Sequence, residues 1–472
     1  MKVMRTLTII FLVILAPCMM FHCKTNSDKL YSIQEAWVRH YAGPDSVDTA
    51  DHITVDILGN VYVTGYSKGL NTGWDYLTIK YNPDGVEQWA ARYNGSGNSD
   101  DGANAIVVDK IGNVYVTGFS RGLNTGADYL TIKYNSDGVE QWIAKYNGPA
   151  NGDDGAIAIA IDVFGNIYVT GTSEDASTSN DYATIRYNSD GMELWVVRYN
   201  VQGNSDDAAK ALAIDRLGNI YVTGTSKESE VQADYATVKY APSGVMIGNV
   251  IYYGMGKRPN FADLASSIAV DSVGNIFVTG TTGHFGGPLG TLFRGSDYAT
   301  IKYNSDGVKQ WAVQYIGTGK DSDNEDGASD LAVDDLGNVY VTGSSYGRGT
   351  WYDYATIKYN SDGDKQWVAR YDKSKMGDWA HVLTVDQSGD VYVTGVSMDS
   401  LSSSDYATIK YNSKGREQWV ARYNGSGNIE DRAEDIFVDG LGNVYVTGAS
   451  GTRKSKHIYT TIKYVQKPSN RN

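Results

Sequence analysis

Gly59-Asn60-Val61-Tyr62-Val63-Thr64-Gly65 decides the fold, because it returns with small variations at Gly112, Gly165, Gly218, Gly274, Gly337, Gly389 and Gly442. Most copies lie 53 residues apart. A second string, Asp75-Tyr76-Leu77-Thr78-Ile79-Lys80-Tyr81 or a near relative, follows each copy and ends at Tyr81, Tyr134, Tyr187, Tyr240, Tyr303, Tyr359, Tyr411 and Tyr464. Each unit reads as four short strands, in the second copy Ala103 to Asp109, Val114 to Ser120, Asp128 to Tyr134 and Gln141 to Tyr146. The intervening Asp109-Lys110-Ile111-Gly112-Asn113 and Asn135-Ser136-Asp137-Gly138 are hairpin chemistry, with Gly supplying positive φ and Asp or Asn making local turn bonds.

A four-stranded sheet with two apolar faces cannot bury either alone, so units at a fixed period predict a propeller in which neighbours cover each other. The ends predict closure. A lone fourth strand, Trp37-Val38-Arg39-His40-Tyr41, opens the repeats, and the last unit lacks its fourth strand after Tyr464. The expected fold is therefore all-β: an eight-bladed β-propeller of four-stranded antiparallel blades, the N-terminal strand completing the last blade and leaving no open edge between first and last.

Working outward, Lys2 and Arg5 precede an apolar run from Leu7 to Ala16, the pattern of a secretory signal and too short to span a bilayer. The expected division is a signal peptide or lipoprotein signal over 1–23, a linker over 24–35, the propeller over 36–464 and a tail over 465–472. Leu15-Ala16-Pro17-Cys18 resembles a bacterial lipobox, with Pro where a small residue is expected, so lipidation at Cys18 stands beside ordinary cleavage. Cys18 and Cys23 are the two cysteines, which leaves the body of the chain without a disulfide, a thiolate metal site or a cysteine nucleophile.

The balance of 41 basic against 55 acidic residues, net −14, offers no basic face for phosphates and argues against nucleic acid or an anionic membrane as partner. Membrane attachment is expected only through an N-terminal lipid. The destination is secreted, periplasmic or the outer cell surface, and the protein is expected to be a monomer.

The two strings, together with the turn-plus-Trp segment Asn360-Ser361-Asp362-Gly363 to Trp367, resemble the bacterial beta-propeller repeat family called SBBP, over roughly residues 36 to 464. That family's name refers to seven blades, whereas eight copies are counted here. The resemblance implies the fold and little about chemistry.

A residue present in every blade serves the blade, whereas a unique one can serve a site. By this test Asp48, Asp101, Asp154, Asp207, Asp263, Asp326, Asp378 and Asp431 read as turn caps or blade-to-blade hydrogen bonds rather than calcium ligands or catalytic acids. The third-strand cations Lys80, Lys133, Arg186, Lys239, Lys302, Lys358, Lys410 and Lys463 need partners if buried, and recurring Asp residues are the expected ones. Outer-strand Trp37, Trp89, Trp142, Trp195, Trp311, Trp367 and Trp419 read as wedges between blades; the eighth position is Gly248, which marks a weakly docked junction of blades 4 and 5.

The loops joining second to third strands, and one blade to the next, vary in length and share one face, which is where binding residues are expected. The longest runs from Thr281 to Ser296 with His284, Phe285, Phe293 and Arg294. Lys257 and Arg258 precede it, and Tyr346, Trp351, Tyr352 and Trp379 follow. Aromatics with interspersed charges suit a carbohydrate or protein ligand, although such loops also pack over a channel mouth without binding anything. No catalytic constellation, metal set or cofactor pocket is legible, so the expected function is a non-catalytic binding or scaffold protein. Two alternatives stand. One is a polysaccharide-active or quinoprotein-like enzyme, for which Asp321, Asp323 and His284 are the non-repeating candidates. The other is an outer-membrane assembly scaffold lipoprotein, on fold analogy alone.

Overall fold

The computed structural model describes residues 31–45, 47–123, 125–177, 179–201, 206–229, 232–254, 262–286, 293–319, 325–399, 404–453 and 456–468. Every regular element among them is a strand, numbered β1 to β32 along the chain, and these form eight four-stranded antiparallel sheets. Blade 1 is β2 (Asp48–Val55), β3 (Val61–Lys68), β4 (Trp74–Tyr81) and β5 (Glu87–Tyr93) in sequence order from the axis outward, and blades 2 to 7 repeat this order. Blade 8 consists of β30 (Asp431–Val438), β31 (Val444–Gly451), β32 (His457–Pro468) and β1 (Tyr31–Tyr41), so the N-terminal strand closes the ring as the sequence predicts. The pairing runs past the expected boundaries: Tyr31–Gln34, read as linker, and Val465–Pro468, read as tail, are strand and pair with each other.

Local chemistry explains the repetition. In the first hairpin of blade 1 the Asp56 carboxylate accepts the Leu58 and Asn60 amides at 2.9 Å each, the Asn60 side-chain amide at 2.7 Å and the Tyr62 hydroxyl at 3.0 Å. Gly59, at φ +81°, completes that turn. In the second hairpin the Asn82 carbonyl oxygen accepts from Asp84 and Val86 in the same way.

The blades are fastened at three radii. Near the axis, each recurring Asp ties the incoming loop to the second strand: Asp101 accepts Gly95 N–H at 2.6 Å and Arg121 N–H at 3.1 Å, and Asp326 accepts Gly317 at 2.6 Å and Tyr346 at 2.8 Å. These carboxylates are structural caps, as their recurrence implies. At mid-radius a buried tyrosine crosses to the next blade, Tyr76 donating to the Leu130 carbonyl and Tyr354 to the Ala407 carbonyl. At the rim, Trp89 lies between Tyr62 and Tyr134, at ring separations of 6.2 and 6.0 Å, and its Nε1–H donates to the Ser136 carbonyl at 3.1 Å.

The third-strand cations correct the expected pairing with Asp. Lys80 donates to the same Ser136 carbonyl at 2.8 Å while lying 5.3 Å from the Tyr62 ring centroid. Lys133, Arg186, Lys239 and Lys302 likewise reach a turn carbonyl of the following blade, over an aromatic ring of their own. A carbonyl dipole and a π face satisfy a half-buried ammonium without placing a second charge between the sheets. Lys410 adds a carboxylate, Asp390, at 3.0 Å, because Asp390 stands where other blades have Asn.

Candidate functional site: the channel and its mouth

The first strands of neighbouring blades pack on one another around the axis. Each carries a β-bulge after its recurring Ala, between Ala50 and His52 in blade 1. A bulge breaks strand alternation, so two consecutive residues turn half-exposed toward the ring. These pairs change from blade to blade: Asp51-His52, Asn104-Ala105, Ile157-Ala158, Lys210-Ala211, Ser266-Ser267, Ser329-Asp330, His381-Val382 and Glu434-Asp435. Acids, histidines and serines gather on blades 5 to 8 and 1, whereas blades 2 and 3 contribute Asn104 as their single polar residue.

Many of these groups also bond blade to blade. Asn104, Ser266, Ser329 and His381 each reach the Ala carbonyl of the next first strand at 2.7 to 2.9 Å. Asp330 accepts the Ser267 hydroxyl at 2.8 Å and Leu383 N–H at 3.1 Å, joining blades 5, 6 and 7. Asp435 accepts Ile53 N–H at 2.9 Å and lies 3.4 Å from His52 Nδ1; His381 Nδ1 lies 3.2 Å from Glu434, which Arg432 approaches at 3.2 Å.

Burial within the ring displaces the titrations. The Asp51 carboxyl is pushed up to about 7, chiefly by loss of hydration, with the charge of Glu434 adding to it and His52 and Arg432 opposing. Asp330 rises to about 6, again by burial, against the bonds it accepts. Burial works against the His52 cation, but its bond to Asp435 and the nearby Asp51 and Glu434 charges prevail and raise it. Among the described residues no three His, Cys, Asp or Glu side chains converge on a metal position.

Above the channel, on the face of variable loops, aromatic rings line the mouth of blades 6 and 7. Tyr346 and Tyr352 are cross-strand partners at the ends of β23 (Val339–Tyr346) and β24 (Tyr352–Tyr359), meeting edge to face at 5.7 Å. Tyr352 lies 5.9 Å from Trp379, in β26 (Asp378–Val385), at 35°. Its hydroxyl donates to Glu325 at 3.0 Å; burial first, then that carboxylate, push it up to about 12. Gly377 leaves room for the Trp379 indole, since a Cβ there would run into the ring. Trp379, His381, Met398, Glu430 and Arg432 then border an open cavity of about 600 Å³.

Of the residues singled out in the sequence, Tyr346, Tyr352 and Trp379 are therefore brought into one cluster, with Trp351 beside it on the connecting turn and 65 % exposed. Thr281–Ser296, read as a loop, is largely a long hairpin: β19 (Ile276–Gly286) pairs with β20 (Phe293–Tyr303) through Gly286↔Phe293. His284, Phe285, Phe293 and Arg294 belong to its far end, and their side chains lie outside the described residues. So do Lys257, Arg258, Asp321, Asp323 and Cys18. Sequence reasoning missed the bulge pairs. Comparing the two residues after each recurring Ala would have exposed them, since no two blades carry the same pair.

Comparison with known proteins agrees with the repeat reading. The chain is 26 % identical over 348 residues to an uncharacterised WD repeat-containing protein of Acanthamoeba polyphaga mimivirus, covering 62 % of this chain and 24 % of the relative. It thus spans about a quarter of that protein's length. Among solved structures, an ulvan lyase, a polysaccharide lyase, aligns at 11 % identity over 89 % of this chain and 95 % of its own, with a TM-score of 0.42. A protein of unknown function from Dyadobacter fermentans aligns at 8 % over 92 % and 99 %, TM-score 0.39, and an α-L-arabinofuranosidase of Fusarium graminearum at 9 % over 65 % and 91 %, TM-score 0.38. The family profile that matches covers residues 36–71, 194–229, 262–286 and 310–349, in each case reaching the second strand of a blade. Four stretches of the chain thus match the SBBP beta-propeller repeat.

Proposed function

We propose that this propeller acts outside the cytoplasm as a non-catalytic carbohydrate-binding protein whose ligand lies across the channel mouth of blades 6 to 8. The observation that supports this most is the Trp379 indole, flanked by Tyr352 and standing at the edge of a cavity that holds His381, Glu430 and Arg432. A flat ring beside mixed hydrogen-bonding groups is the arrangement that takes a sugar, the ring covering its C–H face and the polar groups its hydroxyls. Around the axis Asp330, Glu434 and Asp435 stand against Lys210, Arg432 and the histidines, and with the net charge of −14 this favours a neutral or amino-bearing saccharide over a sulfated or uronic one.

The test is a glycan array probed with residues 24–472 and with Trp379→Ala. Binding to neutral or amino sugars that is lost in the variant is the expected result. Equal binding by both proteins would move the ligand elsewhere, and binding confined to sulfated glycans would refute the charge argument. A second, catalytic reading draws on one observation, the Asp51 carboxyl raised to about 7 beside His52, whose cation the neighbouring carboxylates favour. Turnover of any polysaccharide that Asp51→Asn abolishes would favour it over simple binding.

A further inference from the structure

At the rim of each junction an indole fills one slot, and seven junctions supply it from the chain. At six of these seven the slot has the same three walls: an aromatic ring on the second strand, the positive-φ glycine of the next blade's second hairpin, and the carbonyl two residues before that glycine. Trp89 lies so close to Gly138 that a Cβ there would meet the ring, and Trp142, Trp195, Trp311 and Trp367 lie likewise over Gly191, Gly244, Gly363 and Gly415. In each case the carbonyl accepts the indole N–H at 3.0 to 3.1 Å.

Between blades 4 and 5 the walls are present and the indole is missing. Gly248, in β17 (Met246–Tyr252), stands at the Trp position, and a Cβ added there would meet nothing within 4 Å. What remains is a cavity of about 370 Å³ bordered by Tyr221, Lys239, Gly248, Val250, Ser305 and Gly307. Lys239 keeps its place, donating to the Ser305 carbonyl at 2.8 Å with Nζ 5.2 Å from the Tyr221 ring centroid. The carbonyl's second donor, the indole N–H of the other junctions, has no counterpart. Gly307 sees Val250 alone, at 3.3 Å from an added Cβ, where its equivalents see a ring.

The surroundings differ in the same direction. Met246 and Ile247, about half exposed, replace the Glu-Gln pair found at this point in blades 1, 2 and 7, so the approach to the slot is apolar. One layer further in, the Tyr235 hydroxyl is without a hydrogen-bond partner, whereas Tyr76, Tyr129, Tyr182, Tyr298, Tyr354, Tyr406 and Tyr459 all reach the next blade.

We propose that this vacant slot is a binding site for an indole ring, which would stack beside Tyr221 over Gly307 and donate its N–H to the Ser305 carbonyl. It lies on the outer rim toward the short-turn face, away from the channel mouth, and is independent of the carbohydrate reading.

The experiment titrates the full chain with indole and with N-acetyl-tryptophanamide by calorimetry, alongside Gly248→Trp and Gly248→Leu, each checked for folding by circular dichroism. One saturable indole site in the parent, lost in both variants, is expected, together with a raised thermal midpoint in Gly248→Trp. N-acetyl-tryptophanamide binding at that same site would identify the natural ligand as a tryptophan within a polypeptide, and binding of indole alone would identify it as a free aromatic. Absence of saturation in the parent, or unchanged binding in a folded variant, would overturn the proposal.

Discussion

A single indole at the rim joins three parts of two blades, so its removal should be felt beyond its own area. Trp419 is 6 % exposed and donates to Gln466. Trp419→Ala is expected to cost about 3–5 kcal/mol, the usual range for a large buried aromatic, read as a lower midpoint in urea or heat. Lys302→Met keeps most of the volume and removes a charge-assisted bond to the Ser361 carbonyl; a loss on the order of 2 kcal/mol is expected, and unchanged stability would show that the ring contact alone holds the side chain. Asp51 yields a pH signature. Its folded carboxyl titrates near 7 instead of 3.8, so the folded state binds the extra proton between those values. The associated stability is complete below about pH 4 and disappears as pH rises through 7. His52, also raised, changes in the same sense at higher pH. Asp51→Asn should flatten the decline between pH 4 and 7, measured as thermal midpoint against pH; a parallel decline in both proteins would refute the assignment.

At the scale of the element, what the sequence made legible and what it hid have separate causes. Hairpins were legible because Asp56-type and Asn82-type side chains fix their own turns within a few residues. The rim was legible because Trp recurs. The partner of Lys80 was not, since a backbone carbonyl 56 positions away leaves no mark in side-chain identity. Nor were the channel residues: the bulge after Ala50 shifts the alternation by one, so period-two reasoning places His52 on the wrong side. The mouth cluster was half legible. Tyr346, Tyr352 and Trp379 stood out as unrepeated aromatics, but their meeting depends on Gly377 giving way to the indole, a matter of packing.

For the whole molecule, closure is the feature on which stability turns. Removing residues up to Tyr41 should leave β32 as a bare edge, and the truncated chain is expected to melt earlier and to self-associate on size-exclusion chromatography, with partial recovery when a peptide of residues 31–41 is added. The seam differs from every other junction. Here β1 and not a hairpin-linked strand pairs with β32, and Gln466 stands in for the turn carbonyl: its oxygen accepts from Lys410 at 2.9 Å and Trp419 at 3.3 Å, and its amide donates to the Gly442 carbonyl at 2.6 Å. The same seam sets how the ring answers to mechanical load. Tyr31 pairs with Pro468, so both exits of the chain lie at one end of a single antiparallel ladder. Tension between them would peel β1 from β32 one hydrogen bond at a time, as a zip opens, instead of loading all the bonds together in shear. A propeller tethered by both ends would yield at low force, whereas one held by its N-terminus alone would bear no load across the ladder at all.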